Sequence, residues 1–229
     1  MSLAATKPEI LKGTLLPLME EFYTIQGEGF NTGKAAYFVR IGGCDVGCHW
    51  CDVKESWDAS IHPLTEADII IENASKFPAK AVVVTGGEPC MSELSYLTKG
   101  FKKRGIQTFL ETSGAYKITG DWDWICLSPK KNMAVLKENF PKANELKVII
   151  HNKDDFRFAE EQVEMMVNGK GLMSNGKNTS TISHQPLAIL FLQPEWSKRN
   201  EMMPLIINYV QQHPQWMISL QTHKYIGIP

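Results

Sequence analysis

Short apolar runs alternate with helical patterns along most of the chain. Runs that are apolar throughout or at every second position, and that stop at glycine, proline or polar residues, predict strands. These runs cover residues 21–26, 35–41, 81–85, 106–111, 124–127, 146–150, 187–192 and 216–220. Apolar residues at helical spacing predict helices from about 64 to 74 and at 92–103, 154–167 and 198–212.

The order of these elements predicts the fold class. Strands alternate with helices, which is typical of an α/β protein with a mostly parallel sheet, and we expect an incomplete (βα) barrel. Thr65 is the expected cap of the first helix, paired with Asp68, and Pro204 is a break in the last one. Residues 168–186 are rich in Gly, Asn, Ser and Thr and predict a long surface loop.

Length and charge narrow the class of protein. The 229 residues, 43% of them hydrophobic, are enough for one core, so we expect a single domain over 1–229 with the polar loop as an insertion. The 24 Lys and Arg residues nearly balance 25 Asp and Glu residues, for a net charge of -1. Such a chain has no field that attracts nucleic acid or a membrane surface, so we expect neither partner.

The compartment follows from segments that the sequence lacks. No apolar run approaches the roughly 18 residues of a membrane span, and the amino-terminal residues do not have the pattern of a secretory signal. Five cysteines, three of them close together, do not suggest a disulfide framework in such a chain. We expect a cytoplasmic protein whose cysteines bind metal.

The three neighbouring cysteines are Cys44, Cys48 and Cys51, on a predicted loop directly after a strand. A short loop can wrap an iron-sulfur cubane, whereas a helix or strand would separate the sulfurs. A four-iron cluster with three cysteine ligands keeps one iron open for a substrate or cofactor, and one with four is an electron carrier. The missing fourth cysteine therefore indicates chemistry at the cluster.

Two other interpretations of these cysteines remain open from spacing alone. A structural zinc site would need a fourth ligand, which Cys90, Cys126 or His49 could provide, and would make the chain a noncatalytic binding module. Alternatively, the three thiols are unrelated core residues. Zinc sites usually pair two short cysteine or histidine hairpins, and Cys90 and Cys126 each stand alone, so the cluster is favoured.

The cysteine spacing resembles the motif of the radical S-adenosylmethionine (SAM) superfamily. Trp50 stands before the last cysteine, where that superfamily has an aromatic residue. The resemblance implies that SAM chelates the open iron with its amino and carboxylate groups. An electron from the reduced cluster would then cleave SAM to methionine and a 5'-deoxyadenosyl radical, which abstracts hydrogen from a substrate.

A glycine turn supports the same superfamily. Gly86-Gly87-Glu88-Pro89 follows a predicted strand, and glycine lets a backbone approach a ligand closely. An isolated Gly-Gly would be an ordinary turn, but this one resembles the superfamily's Gly-Gly-Glu-Pro motif, whose backbone contacts the SAM amino group. Polar segments also end later strands at 111–114, 128–131 and 193–196, and ligands gather at such strand ends.

Three further segments narrow the resemblance to one family. They are Gln26-Gly27-Glu28-Gly29, Arg40 before the cysteines, and the ending at 219–229. Together they resemble 7-carboxy-7-deazaguanine synthases, over residues 21–229 apart from the polar loop. That family implies a lyase of queuosine biosynthesis, which converts 6-carboxy-5,6,7,8-tetrahydropterin to 7-carboxy-7-deazaguanine by hydrogen abstraction and ring contraction with loss of ammonia. A glycyl-radical-enzyme activase shares the cysteine spacing and is the nearest alternative.

The resemblance also implies the binding residues. A pterin presents a flat array of donors and acceptors and a carboxylate, which amide, carboxylate and guanidinium groups can match. The implied substrate-binding residues are Ile25, Gln26, Gly27, Glu28, Arg40, Thr112, His223 and Pro229. The implied SAM-binding residues are Trp50, Cys51, Asp52, Gly86, Gly87, Glu88, Gly114, Ser128, Pro129, Lys130, Lys131, Gln193, Pro194, Glu195 and Trp196.

The family further implies a homodimer, an electron donor such as a flavodoxin or ferredoxin, and magnesium. Family members usually carry Thr or Ser after the final Cys-Asp, and that hydroxyl contributes to a magnesium site. This chain has Val53 there, and an isopropyl group cannot coordinate a cation that prefers oxygen. Only Asp52, the substrate carboxylate and water would remain, so we expect a weak response to magnesium.

Overall fold

The computed structural model describes residues 10, 12–169 and 188–229. Its strands are β1 (Leu15–Ile25), β2 (Ala35–Ile41), β3 (Leu64–Glu66), β4 (Ala81–Gly86), β5 (Gln107–Thr112), β6 (Trp124–Leu127), β7 (Glu145–Ile150), β8 (Ile189–Pro194) and β9 (Trp216–Ile218). Its α-helices are α1 (Ala67–Ser75), α2 (Ser95–Lys103), α3 (Asp154–Gly169), α4 (Arg199–Gln212) and α5 (Thr222–Ile226). Short 3-10 helices lie at Lys54–Trp57, Ala59–Ile61, Pro89–Met91, Lys137–Lys142 and Trp196–Lys198.

The strands of the described residues form one sheet in the order β3-β1-β2-β4-β5-β6-β7-β8-β9. Every neighbouring pair from β2 to β9 is parallel, whereas β1 is antiparallel to both β2 and β3. The two edge strands do not pair, so the sheet is not closed. This architecture confirms the predicted mostly parallel α/β fold and agrees with an incomplete barrel. No helix in the described part of the chain is long and apolar enough to cross a membrane.

The helices cover one face of the sheet with two apolar clusters. In the first half, α1 and α2 pack on β2 and β4 through buried residues such as Ile70, Phe101 and Val84. In the second half, α3 and α4 pack on β7 and β8 through residues such as Met166 and Leu192. Side chains alternate between the faces of a strand, so the residues between these apolar positions point to the opposite face. That opposite face carries the polar side chains described below.

Some predicted boundaries differ from the structure, for physical reasons. Thr65 does not cap α1, because Leu64–Glu66 pairs with β1 as a strand and the helix begins only at Ala67. The helix α4 continues through Pro204, since Met202 and Ile206 on either side are buried against the sheet. The ending helix α5 was not predicted. The predicted loop 168–186 lies outside the described residues except for its first two, which end α3.

Candidate active site

A cleft of about 270 Å³ opens on the face of the sheet opposite the helices, where the parallel strands end. It is lined by the three neighbouring cysteines, by the glycine turn after β4, and by polar side chains that follow β5, β6 and β8. Residues of β1 and of the chain ending close its other end. The position agrees with the general rule that parallel α/β sheets bind ligands at the carboxyl ends of their strands.

The cysteine loop follows β2 and is fixed by backbone hydrogen bonds to the next 3-10 helix. The N-H of Gly43 donates to the carbonyl of Ser56 at 2.7 Å, and that of Cys44 donates to the carbonyl of Trp57 at 3.0 Å. Cys44, Cys48 and Cys51 are all partly exposed and line the cleft. Burial raises the pKa of Cys44 and of Cys48, and soft thiolates suit an iron-sulfur cluster, which ligates them deprotonated. The three donors therefore fit a 4Fe-4S cluster with one open iron.

The other two cysteines lie elsewhere. Cys90 packs in a buried apolar cluster with Leu110, Ile118 and Ile125, and Cys126 is buried within β6. Neither lines the cleft. Within the described residues, no group of three or more His, Cys, Asp and Glu side chains is placed to hold a single metal ion. His49, the third candidate for the fourth ligand of a zinc site, does not line the cleft either.

The glycine turn after β4 packs directly against the base of the cysteine loop. The N-H groups of Gly87 and Glu88 donate to the carbonyls of Ile41 and Gly43 at 2.9 and 2.8 Å. A Cβ on Gly87 would lie 2.3 Å from the Gly43 carbonyl oxygen, and one on Gly86 would lie 2.4 Å from that of Ile41. Only glycine allows this approach, so the two motifs form one rigid wall of the cleft.

Glu88 is the most deeply buried acidic residue of this wall, with 1% of its surface exposed. Its carboxylate accepts hydrogen bonds from the Cys90 N-H at 3.0 Å, from the Thr112 hydroxyl at 2.6 Å, and from both the N-H and the hydroxyl of Ser113. A buried carboxylate with four donors is fully satisfied. Glu88 therefore joins the ends of β4 and β5, and holds Thr112 in position beside the cleft.

A buried ion pair lies among the predicted substrate-binding residues, and we call this part of the cleft its substrate end. Lys147, on β7, is only 2% exposed. Its ammonium lies 2.5 Å from a carboxylate oxygen of Glu28 and 3.4 Å from one of Glu111. The other oxygen of Glu28 accepts from the Gln221 amide at 2.8 Å. A buried ammonium of this kind is stable only when carboxylates neutralise it, so the three charged groups form one unit.

The electrostatics of this unit keep its groups charged. Burial acts to raise the pKa of Glu28, but the charge of Lys147 and hydrogen bonds from Lys147, Gln221 and Gln193 outweigh it and lower the pKa to about 2. Burial acts to lower the pKa of Lys147, and the surrounding acidic groups hold that pKa well above its ordinary value. Glu28 is therefore an anion, and Lys147 a cation, throughout the physiological pH range.

Glu111 links this unit to Gln26. The Gln26 amide donates to Glu111 at 2.7 Å, and its carbonyl accepts from the Gly27 N-H at 2.8 Å. Gln26 is 7% exposed, so few other orientations are open to its side chain. The amide and carboxylate that the sequence assigned to the substrate are thus both held by residues on β5 and β7.

Arg40 lies on β2 and points into the cleft. Its Nε is 2.9 Å from a carboxylate oxygen of Glu20, its direct neighbour on β1, in an ion pair without hydrogen-bond alignment. Its guanidinium also lies over the ring of Phe22, 5.6 Å from the centroid. The side chain is 23% exposed, so it is accessible to a ligand in the cleft.

The chain ending closes the substrate end. Both the N-H and the hydroxyl of Thr222 donate to the carbonyl of Gly27, at 2.9 and 3.1 Å. A Cβ on Gly27 would lie 2.2 Å from the Nδ1 of His223, which shows how closely α5 packs on this turn. Burial lowers the pKa of His223. Pro229 lines the cleft and accepts from the Thr24 hydroxyl at 3.4 Å.

The predicted SAM-binding residues mostly line the cysteine end of the cleft. Ser128 and Lys130 follow β6, where the Lys130 ammonium donates to the Ser128 hydroxyl at 2.7 Å. Glu195 caps the 3-10 helix after β8. Three predicted positions do not line this cleft: Gly114, Pro129 and Lys131. Pro129 and Lys131 line an adjoining cavity of about 80 Å³.

Sequence reasoning assigned no role to several polar groups of the cleft, among them Glu111, Lys147, Gln221 and Lys224. The sequence carries a signal for one of them: Lys147 interrupts an apolar strand, and a charge there has to find a buried partner. Glu111 was noted only as the end of a strand, and its link to Gln26 depends on the sheet order. Every predicted substrate-binding residue lines the cleft, although its role stays a prediction.

Comparison with known proteins gives consistent matches. Residues 25–136 match the family model described as a 4Fe-4S single cluster domain. The chain is 58% identical, over 95% of each chain, to a 7-carboxy-7-deazaguanine synthase of Flavobacterium psychrophilum. It is 42% identical to one of Synechocystis over 93% of each chain. The crystal structure of QueE from Escherichia coli has a TM-score of 0.73 and 27% identity, covering 95% of this chain and 99% of that one.

The first prediction concerns the cysteines. Replacing Cys44, Cys48 or Cys51 by Ala should abolish the cluster, whereas Cys90→Ala and Cys126→Ala should retain it, because only the first three line the cleft. Iron and sulfide content and the visible absorbance of anaerobically reconstituted protein measure the outcome. Iron loss in either of the last two variants, with the fold intact by circular dichroism, would contradict the ligand assignment.

The second prediction concerns Lys147. Lys147→Met leaves two partly buried carboxylates without their buried cation and should lower the free energy of unfolding by about 3 kcal/mol. The double variant Lys147→Met/Glu28→Gln should lose less than the two single variants together, since it removes both partners. Urea unfolding measures both, with Lys99→Met on the exposed side of α2 as the control.

The difference in the free energy of unfolding between the wild type and Lys147→Met should depend on pH. With a pKa of about 2, Glu28 stays ionised in the wild type and its contribution to stability is lost only as pH falls from the ordinary carboxyl range through about 2. In Lys147→Met burial raises that pKa, so protonation relieves the unpaired charge as pH falls. The stability difference between the two proteins should therefore shrink from about pH 8 to about pH 5. A constant difference would show that Lys147 does not control the ionisation of Glu28.

Proposed function

We infer that this chain, which belongs to the 7-carboxy-7-deazaguanine synthase family, converts 6-carboxy-5,6,7,8-tetrahydropterin to 7-carboxy-7-deazaguanine in its cleft. It is a radical SAM enzyme of queuosine biosynthesis that uses a 4Fe-4S cluster and SAM and acts on a small-molecule substrate. The observation that carries this conclusion is the family match over 95% of both chains. One cleft joining the three cysteines to Gln26, Glu28 and Arg40 supports it.

The chain's own residues bind and orient the reactants. When bound, the reduced cluster and SAM would supply the radical chemistry that removes a hydrogen atom from the substrate. Cys44, Cys48 and Cys51 hold the cluster at one end of the cleft. The N-H groups of Gly87 and Glu88 already donate hydrogen bonds within the protein. The groups that this turn can offer to the amino group of a ligand are therefore its carbonyl oxygens. The residues of the cleft would have to hold the two reactants in a fixed orientation close to each other.

The substrate end of the cleft matches the polar edges of a pterin. Gln26 and Glu28 present amide and carboxylate groups that Glu111 and Lys147 hold in fixed orientations. A carboxylate that stays ionised accepts hydrogen bonds from the N-H groups of a guanine-like edge. Arg40 provides the guanidinium for the substrate carboxylate, with Thr112, His223 and Pro229 around it. The apolar residues Ile25, Trp50 and Val53 line the same cleft and exclude water from the radical.

Four further properties are proposals that the family resemblance supports. A flavodoxin or ferredoxin supplies the electron, the protein acts as a homodimer in the cytoplasm, and the chain forms a single domain. The remaining SAM-binding residues, including Gln193, Pro194, Glu195 and Trp196, would bind SAM between the cysteines and β8. The predicted SAM-binding residues that line the cleft lie at or after the ends of four strands, β2, β4, β6 and β8, as expected for a ligand at the sheet edge.

The third prediction tests the proposed reaction. Anaerobically reconstituted protein with SAM, a reductant and the tetrahydropterin should form 7-carboxy-7-deazaguanine together with 5'-deoxyadenosine, both measured by chromatography and mass spectrometry. Cys51→Ala is the control without an intact cluster. SAM cleavage with unchanged pterin would contradict the substrate, and the absence of SAM cleavage would leave only a binding module.

The fourth prediction concerns Arg40. Arg40→Met should weaken binding of the carboxylated pterin by about 1.5 to 3 kcal/mol, because a hydrogen bond to a charged group contributes about that much free energy. Cluster content should stay unchanged, because Arg40 is not one of the three predicted cluster ligands. Anaerobic equilibrium titration measures the affinity, and Arg157→Met, with a 78% exposed side chain on α3, is the matched control. Equal affinity in the Arg40 variant would show that another cation binds the substrate carboxylate.

A further inference from the structure

Val53, two positions after the last cluster cysteine, offers few oxygen atoms to a metal ion. The Val53 side chain is apolar. Its carbonyl oxygen accepts hydrogen bonds from the Ser56 hydroxyl at 2.6 Å and from the Ser56 N-H at 3.1 Å. Both lone pairs of that carbonyl are therefore in use. Val53 lines the cleft but presents only its isopropyl group to a ligand.

The neighbouring carboxylate already has a cation. A carboxylate oxygen of Asp52 lies 2.6 Å from the ammonium of Lys224, which α5 brings from the chain ending. The Lys224 side chain is 20% exposed, while that of Asp52 is 61% exposed. The ammonium also lies 5.2 Å from the centroid of the Trp196 ring, within cation-π range. Lys224 is thus held in the cleft from two sides.

These residues do not fit a bound magnesium ion. Magnesium requires near-octahedral oxygen coordination and binds through carboxylates or hydroxyls together with water. Val53 has a methyl group in place of the hydroxyl of threonine, and its carbonyl oxygen accepts from Ser56. The carboxylate of Asp52 is paired with the ammonium of Lys224. A divalent cation on Asp52 would also lie against the positive charge of Lys224, which costs free energy in a partly buried cleft.

Lys224 lines the same cleft as the groups that the substrate carboxylate would meet. Arg40, Glu28 and His223 line this cleft too, and His223 directly precedes Lys224 in the chain. An ammonium has three donors, and Asp52 uses only one of them. The other two are free to donate to an anionic group of a ligand.

We propose that the Lys224 ammonium, anchored by Asp52, takes the place of a divalent cation at this position and binds the carboxylate of the substrate together with Arg40. The proposal rests on the proposed function, because it assumes a carboxylated substrate. It follows that substrate binding and turnover by this chain need no magnesium. An apolar side chain at Val53 fits this arrangement, since it leaves Asp52 to the ammonium.

The test compares five proteins: wild type, Lys224→Met, Val53→Thr, Val53→Thr/Lys224→Met, and Lys198→Met as a control outside the cleft. Each is reconstituted anaerobically, and iron content and circular dichroism check that it is folded and loaded. Equilibrium titration with 6-carboxy-5,6,7,8-tetrahydropterin is performed in a metal chelator and again across a magnesium series. Turnover is measured under the same conditions.

The expected result is that the wild type and Lys198→Met bind the pterin equally well with chelator and with magnesium. Lys224→Met should lose affinity by on the order of tenfold or more, the effect of removing a hydrogen bond between charged groups. Magnesium should restore part of that loss only in Val53→Thr/Lys224→Met, where a hydroxyl returns and Asp52 is free.

Two results would overturn the inference alone. One is wild-type binding and turnover that the chelator abolishes and magnesium restores, and the other is unchanged pterin affinity in folded Lys224→Met. Failure of the proposed function is distinguishable from both, because the wild type would then neither bind nor convert the pterin at any magnesium concentration. A wild type that binds the pterin without magnesium, and loses that binding with Lys224, supports the inference whatever the rate of turnover.

Discussion

The buried ammonium of Lys147 is the interaction on which the substrate end of the cleft depends. An ammonium on a central strand can stay charged at 2% exposure only if carboxylates come to it. Glu28 arrives from the segment after β1 and Glu111 from the end of β5, so one cation fixes residues from three separate strands. Gln26 is then oriented by Glu111. The arrangement of the polar groups follows from neutralising one charge rather than from the local backbone.

The cluster end of the cleft depends on a different constraint, which is close backbone packing. The loop after β2 and the turn after β4 contact each other through Gly43 and Gly87, where a single added Cβ would lie 2.3 Å from a carbonyl oxygen. Parallel pairing of β2 with β4 places the two strand ends side by side. This end therefore requires glycines and cysteines at fixed spacings, and such requirements are visible in a sequence.

The difference between the two ends explains what could be predicted from the sequence. The strand and helix pattern is local, so β2 and β6 were predicted at their observed bounds and the α/β class is confirmed. The cysteines and the glycine turn are local motifs, and both line the cleft as expected. Lys147 and Lys224 were missed because their partners are far away in sequence. Thr65 was misassigned as a cap because the pairing of its segment with β1 overrides the local pattern.

The chain ending shows how a shared scaffold acquires a particular substrate. The packing of Thr222 and His223 on Gly27 joins the last turn of the chain to the segment after the first strand. These contacts bring His223, Lys224 and Pro229 into the same cleft, where Lys224 pairs with Asp52, directly after the last cysteine. The chemistry of hydrogen abstraction resides in the cluster and SAM, which a local motif can bind. Substrate recognition instead requires charged groups from both ends of the chain to meet, so a change in the ending, such as one at Lys224, can alter what the cleft binds without disturbing the cluster.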